Sequence, residues 1–314
     1  MVDWSYNLLC YLSQKYESHL TITIIMKKYF KNILPETVRV IFLFSMTTVV
    51  VFPLLWIIST SLRHNPETQL APPNWFPETF TLDYYSLNYL GGEGTSAGMT
   101  NAFVPNIING VIVSFWVTLI AVTLAIMTGY SFSRFNFTGR KTLLVLILNT
   151  QMFPYVAIVV PLYIMYRSMG LLNSFTGLII AEIGMVLPFS IWMIKSFCDT
   201  IDKDFEEAAL IEGASRIRIL WSIIIPVITP GIVSVSMFSF LASWNHLFYV
   251  MILNTRDSKI TVPLGLVRTY SEGYYTHYSE MSAGIVIVSL PIIIIFIWLQ
   301  KYFATGLTAG AVKG

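Results

Sequence analysis

Residues 200–226 read TIDKDFEEAALIEGASRIRILWSIIIP, a charged, helix-coded interval wedged between two long apolar segments. Asp202 is placed to cap a helix. Asp204, Glu206 and Glu207 load its first turn, where carboxylates meet the positive end of the macrodipole. Ala208 and Ala209 are strong helix formers with almost no side-chain bulk. Gly213 can take the left-handed conformation that stops a helix. Ser215 is placed to cap a second helix that runs on into apolar sequence. The stretch therefore predicts a short helix, a sharp turn and a second helix at the mouth of a membrane span. A short helix with a small-residue face suits docking into a groove on a partner.

The flanks decide what kind of chain this is. Of 314 residues, 55% are hydrophobic and 11% charged. Soluble domains carry about 25% charged residues, so the composition is that of an integral membrane protein. A net charge of +2 offers nothing to nucleic acid. Cys10 and Cys198 are far apart and without a motif, so both are expected as free thiols. The first apolar run comes late and is long enough to span, which does not fit a cleavable signal peptide.

Apolar runs long enough to cross a bilayer lie at 38–59, 103–132, 142–166, 175–194, 219–243 and 283–303. Lys27, Lys28, Lys31 and Arg39 precede or open the first; Arg134, Arg140, Lys141, Lys195, Lys203, Arg216 and Arg218 mark alternate connections. The positive-inside rule puts those residues, and both termini, in the cytoplasm. The expected fold is all-α, with six transmembrane helices in one membrane domain, 38–314. Residues 200–216 form its cytoplasmic helix. Residues 1–37 read as a cytoplasmic N-terminal extension, with Met26 as an alternative start. Residues 60–101 and 244–282 read as long outside segments, the former rich in Pro, Asn, Tyr and Gly. Pro154 and Pro161 in the third run break the backbone ladder, so that run should face protein or a cavity. The fifth run is interrupted by Pro226, Pro230 and Gly231.

No enzyme constellation is present. His19, His64, His246 and His277 lack ligand spacing, and there is no nucleotide-binding loop, HExxH or GxSxG. Neither a cofactor nor a metal is expected in this chain. Glu182 is the one carboxylate well inside a span, a candidate ion or proton site. Asn149 and Gln151 are candidates for the translocation path, or interhelical hydrogen-bond partners. A self-sufficient secondary transporter or channel, a structural membrane protein, and a permease driven by a separate subunit all fit these features.

The opening stretch resembles the cytoplasmic EAA signature of ABC-type importer permeases: E-A-A, three residues, G, nine residues, I, one residue, L-P. Here the matching residues are Glu207, Ala208, Ala209, Gly213, Ile223 and Pro226, with Ile225 in place of the leucine. QMFP at 151–154, WMIK at 192–195 and the tail GLTAGAVKG at 306–314 are similar to the smaller permease of the maltose-type carbohydrate importers. The resemblance covers roughly residues 38–314 and implies a type I importer permease fold in a bacterial cytoplasmic membrane. It implies a second permease subunit, two ATPase subunits that hold ATP and Mg, an extracytoplasmic binding protein, and an oligosaccharide cargo such as a malto-oligosaccharide, or a different glycan. Glu207, Ala208, Ala209 and Gly213 would then form the ATPase-coupling helix. Asn254, Thr255, Arg256, Asp257, Ser258 and Lys259 would form a loop toward the binding protein. Gly306, Leu307, Thr308, Ala309 and Gly310 would form an extended tail contacting the ATPases.

Overall fold

The computed structural model describes residues 36–69, 74–86, 103–272 and 275–311. The chain divides into two units, the first ending at Ile57. The extension 1–35 and Met26 lie outside the described residues.

The first unit contributes most of helix Glu36–Ser61, which contains Pro53. Its large apolar side chains, Phe42, Leu43, Phe44, Val49 and Val50 among them, are exposed. An all-round apolar helix with no polar face is coded for lipid or for another apolar surface.

In the second unit, helices Val104–Arg134, Phe175–Asp199 and Tyr278–Tyr302 are each long and apolar enough to cross a membrane. Two further crossings are bent pairs. Arg140–Met152 and Ala157–Ser168 meet at 98°, and Arg216–Val227 and Thr229–Trp244 at 80°. With the first helix they make the six expected spans, numbered 1 to 6 below in chain order. The sequence pattern placed prolines in spans 3 and 5 but read each as one interrupted run; both are sharply bent. Pro154 sits at the break of span 3. In span 5, Pro226 follows a widened turn, Leu220–Ile224, in which Ile225 N–H bonds to Leu220 O, five residues back. A missing N–H and the clash of the proline ring with the preceding turn account for such a widening.

Span 2 packs along span 4, and the second half of span 5 lies against both. Gly129 makes the approach of spans 2 and 4 close: a Cβ there would sit 2.9 Å from Ile194 Cγ2 and 2.9 Å from Lys195 N. One core layer, including Ala125, Ile194, Cys198, Ile219 and Val235, reaches the cytoplasmic helix through Ala209. A second, including Val113, Val117, Leu178 and Val186, reaches the outer segment through Val250, Leu253, Ile260 and Leu264. Cys198 is free and buried, as expected.

The segment 244–282, read from sequence as a long outside segment, carries secondary structure of its own. It folds into helices Phe248–Leu253 and Val262–Tyr270 and a hairpin pairing Ser271–Glu272 with Tyr275–Thr276. Val250, Leu253, Ile260 and Val262 are all in the core. The described part of 60–101 is likewise ordered around Arg63, which is 1% exposed. Its guanidinium donates to Asn74 O at 2.7 Å, to Ser59 Oγ at 2.6 Å and to the carbonyls of Ser59 and Trp75 at 3.3 Å each.

Candidate functional site

The basic residues Arg134, Arg140, Lys195, Lys203, Arg216 and Arg218 flank the junctions of spans 2 to 5 that meet around residues 199–218, the end assigned to the cytoplasm. There the short helix forms as Asp204–Ile211, with Asp204, Glu206 and Glu207 in its first turn. Asp202 Oδ1 accepts the Asp204 N–H at 3.4 Å, although the capping position itself is Lys203. Gly213 has φ +85°, as the stop signal required. Around it Ala214 N–H bonds to Ala209 O and Gly213 N–H to Leu210 O, each at 3.0 Å. That pair of bonds is a Schellman ending, which satisfies the last carbonyls of the helix. Ser215 then caps the next helix, accepting the Arg218 N–H at 3.3 Å.

The helix has two faces. Ala209 and Glu206 point inward and are buried; Glu207 and Ala208 are exposed. Phe205 and Ile211 stand on the outward side at 65% and 88% exposure, and Ile217 and Trp221 continue the apolar surface onto span 5. Residues 205, 208 and 211 recur at helical spacing, so they form one stripe. Glu207 and Ala208 stand at the surface, whereas Ala209, which the EAA resemblance implied for the coupling face, packs inside.

Sequence reasoning missed Glu206. It is 2% exposed and both carboxylate oxygens are engaged. Arg134 Nε donates to Oε1, Tyr130 Oη donates to Oε2 at 2.9 Å, and Arg216 lies 3.8 Å from Oε2. Arg134 also donates to Ile201 O at 3.0 Å. Beside it, Ser133 Oγ donates to Asp199 Oδ1 at 2.6 Å, and Asp199 pairs with Lys195. Tyr130 and Arg134 are four apart on the last turn of span 2, so they reach one carboxylate from one face. The signal available in sequence was an Arg at the end of a span opposite a run of acids, which does not say which acid. Removing one partner of such a buried pair strands the other and costs about 3–5 kcal/mol.

The outward loop Asn254, Thr255, Arg256, Asp257, Ser258 and Lys259 is a fixed structure. Asn173, at φ 56°, accepts the N–H groups of Thr255 at 2.8 Å and Arg256 at 2.9 Å on its Oδ1, and the Thr255 hydroxyl at 3.1 Å. Asn109 donates to Ser258 O and Ile260 O, and Asn254 to Lys259 O. Arg268 pairs with Asp257 at 2.9 Å. Lys259 Nζ lies 4.0 Å from the Phe175 ring centroid. Thr255, Arg256, Asp257 and Ser258 are presented to solvent.

The three polar candidates within spans are not brought together. Gln151 donates to Met185 O at 2.6 Å, joining spans 3 and 4 one turn before Pro188. It behaves as interhelical glue. Asn149 is exposed. Glu182 is fully buried; Ser243 on span 5 donates to its Oε2, while Oε1 has no hydrogen-bond partner. Among the described residues no group of His, Cys, Asp and Glu could hold a metal. For Gly306, Leu307, Thr308, Ala309 and Gly310 the backbone corrects the expectation of an extended tail: the last helix runs Tyr278–Ala311.

Comparison with known proteins places this architecture. The sequence pattern of the binding-protein-dependent transport system inner membrane component family matches residues 121–309. The galactooligosaccharides transport system permease protein of Bacillus subtilis is 33% identical, over 86% of this chain and 92% of that protein. The trehalose/maltose transport system permease protein of Thermococcus litoralis is 30% identical, over 90% of this chain and 99% of that protein. A chain of a bacterial ABC transporter involved in the import of the acidic polysaccharide alginate shares the fold, with a TM-score of 0.70 at 22% identity, over 85% of this chain and 95% of that one. The chain is therefore a multi-pass transport permease, not an enzyme, and it belongs to the family of binding-protein-dependent transport system inner membrane components.

Proposed function

We propose that this chain is the permease subunit of an ATP-driven importer of oligosaccharides, with malto-oligosaccharides as the first cargo to test, and that helix Asp204–Ile211 couples ATPase closure to alternating access. The observation that carries the coupling is the outward stripe of Phe205, Ala208 and Ile211 on a helix otherwise held by the bundle. An apolar face this exposed, outside the bilayer, needs a groove. Glu207, exposed beside the stripe, would meet a basic group of the ATPase. The cargo class rests on the relatives, one of which carries galactooligosaccharides and another trehalose and maltose in its name.

In this reading a second permease subunit completes the pore, two ATPase subunits hold ATP and Mg, and a binding protein meets the fixed loop 254–259. Closure of the ATPase pair displaces the coupling helix and rocks the spans as rigid bodies. The rival, a self-sufficient secondary transporter or channel, needs none of these partners, and membership of a binding-protein-dependent family weighs against it. The test is reconstitution. In liposomes with its partner permease, ATPase and binding protein, the chain should support uptake of maltotriose that stops without ATP. Uptake by this chain alone on an ion gradient would overturn the proposal. An intact complex that moves another glycan and not maltotriose would replace the cargo only.

A further inference from the structure

The coupling helix is covalently joined to span 4 and span 5, but not to span 2. Yet span 2 lies at the centre of the bundle, packed on span 4 and on the second half of span 5. The eight-residue helix has little apolar grip of its own: Ala209 is buried and Leu210 partly so. What joins it to span 2 is polar. Glu206 receives Arg134 Nε on one oxygen and Tyr130 Oη, at 2.9 Å, on the other. Arg134 simultaneously donates to Ile201 O at 3.0 Å, at the exit from span 4. Arg216, the first residue of span 5, stands 3.8 Å from the same carboxylate.

We infer that the Glu206 carboxylate is the joint through which movement of the coupling helix reaches span 2, with Arg134 and Tyr130 as its socket. Three segments converge on this one group: the end of span 2, the coupling helix and the start of span 5. Covalent connections alone would let the helix pivot between spans 4 and 5 on the residues 200–203 and the turn at Gly213. The carboxylate removes that freedom, because two donors four residues apart on one helix fix both its position and its direction. Glu206 is thus a positioning residue, buried against the end of span 2, while its neighbour Glu207 faces outward. The inference rests on the coupling role proposed for this helix.

The test uses the assembled transporter with all its subunits. Glu206→Gln keeps the shape of the side chain and loses the charge. The expected result is that the ATPase subunits still co-purify while sugar taken up per ATP hydrolysed falls at least tenfold. Uptake and hydrolysis falling in proportion would mean a general loss of folded complex and would overturn the joint. The decisive arm replaces the joint by chemistry. In a Cys10→Ala, Cys198→Ala background, Tyr130→Cys and Glu206→Cys are bridged with a short, reducible thiol cross-linker. The bridge should restore uptake per ATP, and reduction should abolish it again. A bridged transporter that stays uncoupled overturns the inference. Ile211→Arg separates the two readings: if ATPase attachment survives that change on the outward stripe, the docking role fails, whatever the bridge does.

Discussion

Gly213 allows the docking reading to be tested against a purely local one. Its φ of +85° makes any L-residue strained there, and a Cβ added to it meets nothing within 4 Å. The first fact sets a backbone cost of about 1–2 kcal/mol for Ala, roughly a tenfold change in an equilibrium constant. Asn tolerates the left-handed region better, so its cost should be a few-fold at most. The second fact says that bulk adds nothing further in the free chain. Gly213→Trp should therefore insert and fold like Gly213→Ala. If an ATPase surface closes over the Schellman turn, however, the indole has nowhere to go. The assay is a titration of ATPase subunits against nanodisc-held permease pairs carrying Asn, Ala or Trp at 213, followed by uptake. The expected order is Asn near wild type, Ala weakened about tenfold, and Trp unable to bind or transport. Equal affinities for the Trp and Ala variants would show that no partner approaches the turn and would refute docking at this end of the helix.

Other predictions concern the scaffold. Gly129→Leu must push spans 2 and 4 apart, since even a Cβ lies 2.9 Å from Lys195 N; it should lower stability by about 1–3 kcal/mol or more, read as a drop in melting temperature in detergent. Asn173→Ala removes the acceptor of three hydrogen bonds to Thr255 and Arg256; the loop 254–259 should become protease-sensitive and affinity for the binding protein should fall, with insertion unaffected. Burial holds the His246 imidazole down to about 4. The unfolded chain therefore binds its proton first, near pH 6.5, so this group's effect is a loss of stability as pH falls from about 6.5 to 4 and none above that window. His246→Gln should flatten that acid limb in a pH series of melting temperatures; an unchanged limb would show that the ring is not the cause.

The spans and the opening stretch were legible because their signals are local. Apolar length, charge asymmetry, a glycine stop and a serine cap each depend on residues within one or two turns, and Gly213 and Ser215 do what their types require. The identity of the inward acid was not legible. Glu206 and Glu207 are neighbours of one type, and which is buried depends on the rotation of an eight-residue helix. That rotation is set by Arg134, more than 60 positions away in sequence. The ordered outer segment was missed for a related reason. Its elements are short and borrow their burial from Val113, Leu178 and Val186 on other spans, so no single window of sequence carries the signal. The bends were half legible: prolines mark where spans 3 and 5 yield, but not the 98° and 80° angles, which packing selects.

The widened turn at Leu220–Ile224 has a consequence for how this chain can change over generations. A turn that bonds five residues back holds one residue more than a regular turn needs. One residue is about 100° of helix. Because the surplus residue is absorbed within the turn, loss of a single codon within 220–224 would leave Ser215 and the docking stripe in the same phase around span 5, at the cost of pressing the Pro226 ring on the preceding turn, whereas loss of a codon at 216–219 would swing them through that angle. The widened turn is thus a one-codon buffer in the phase between the surface that receives work and the span that transmits it. A single deletion within 220–224 should therefore spare transport better than one within 216–219, which shifts the docking stripe by about 100°.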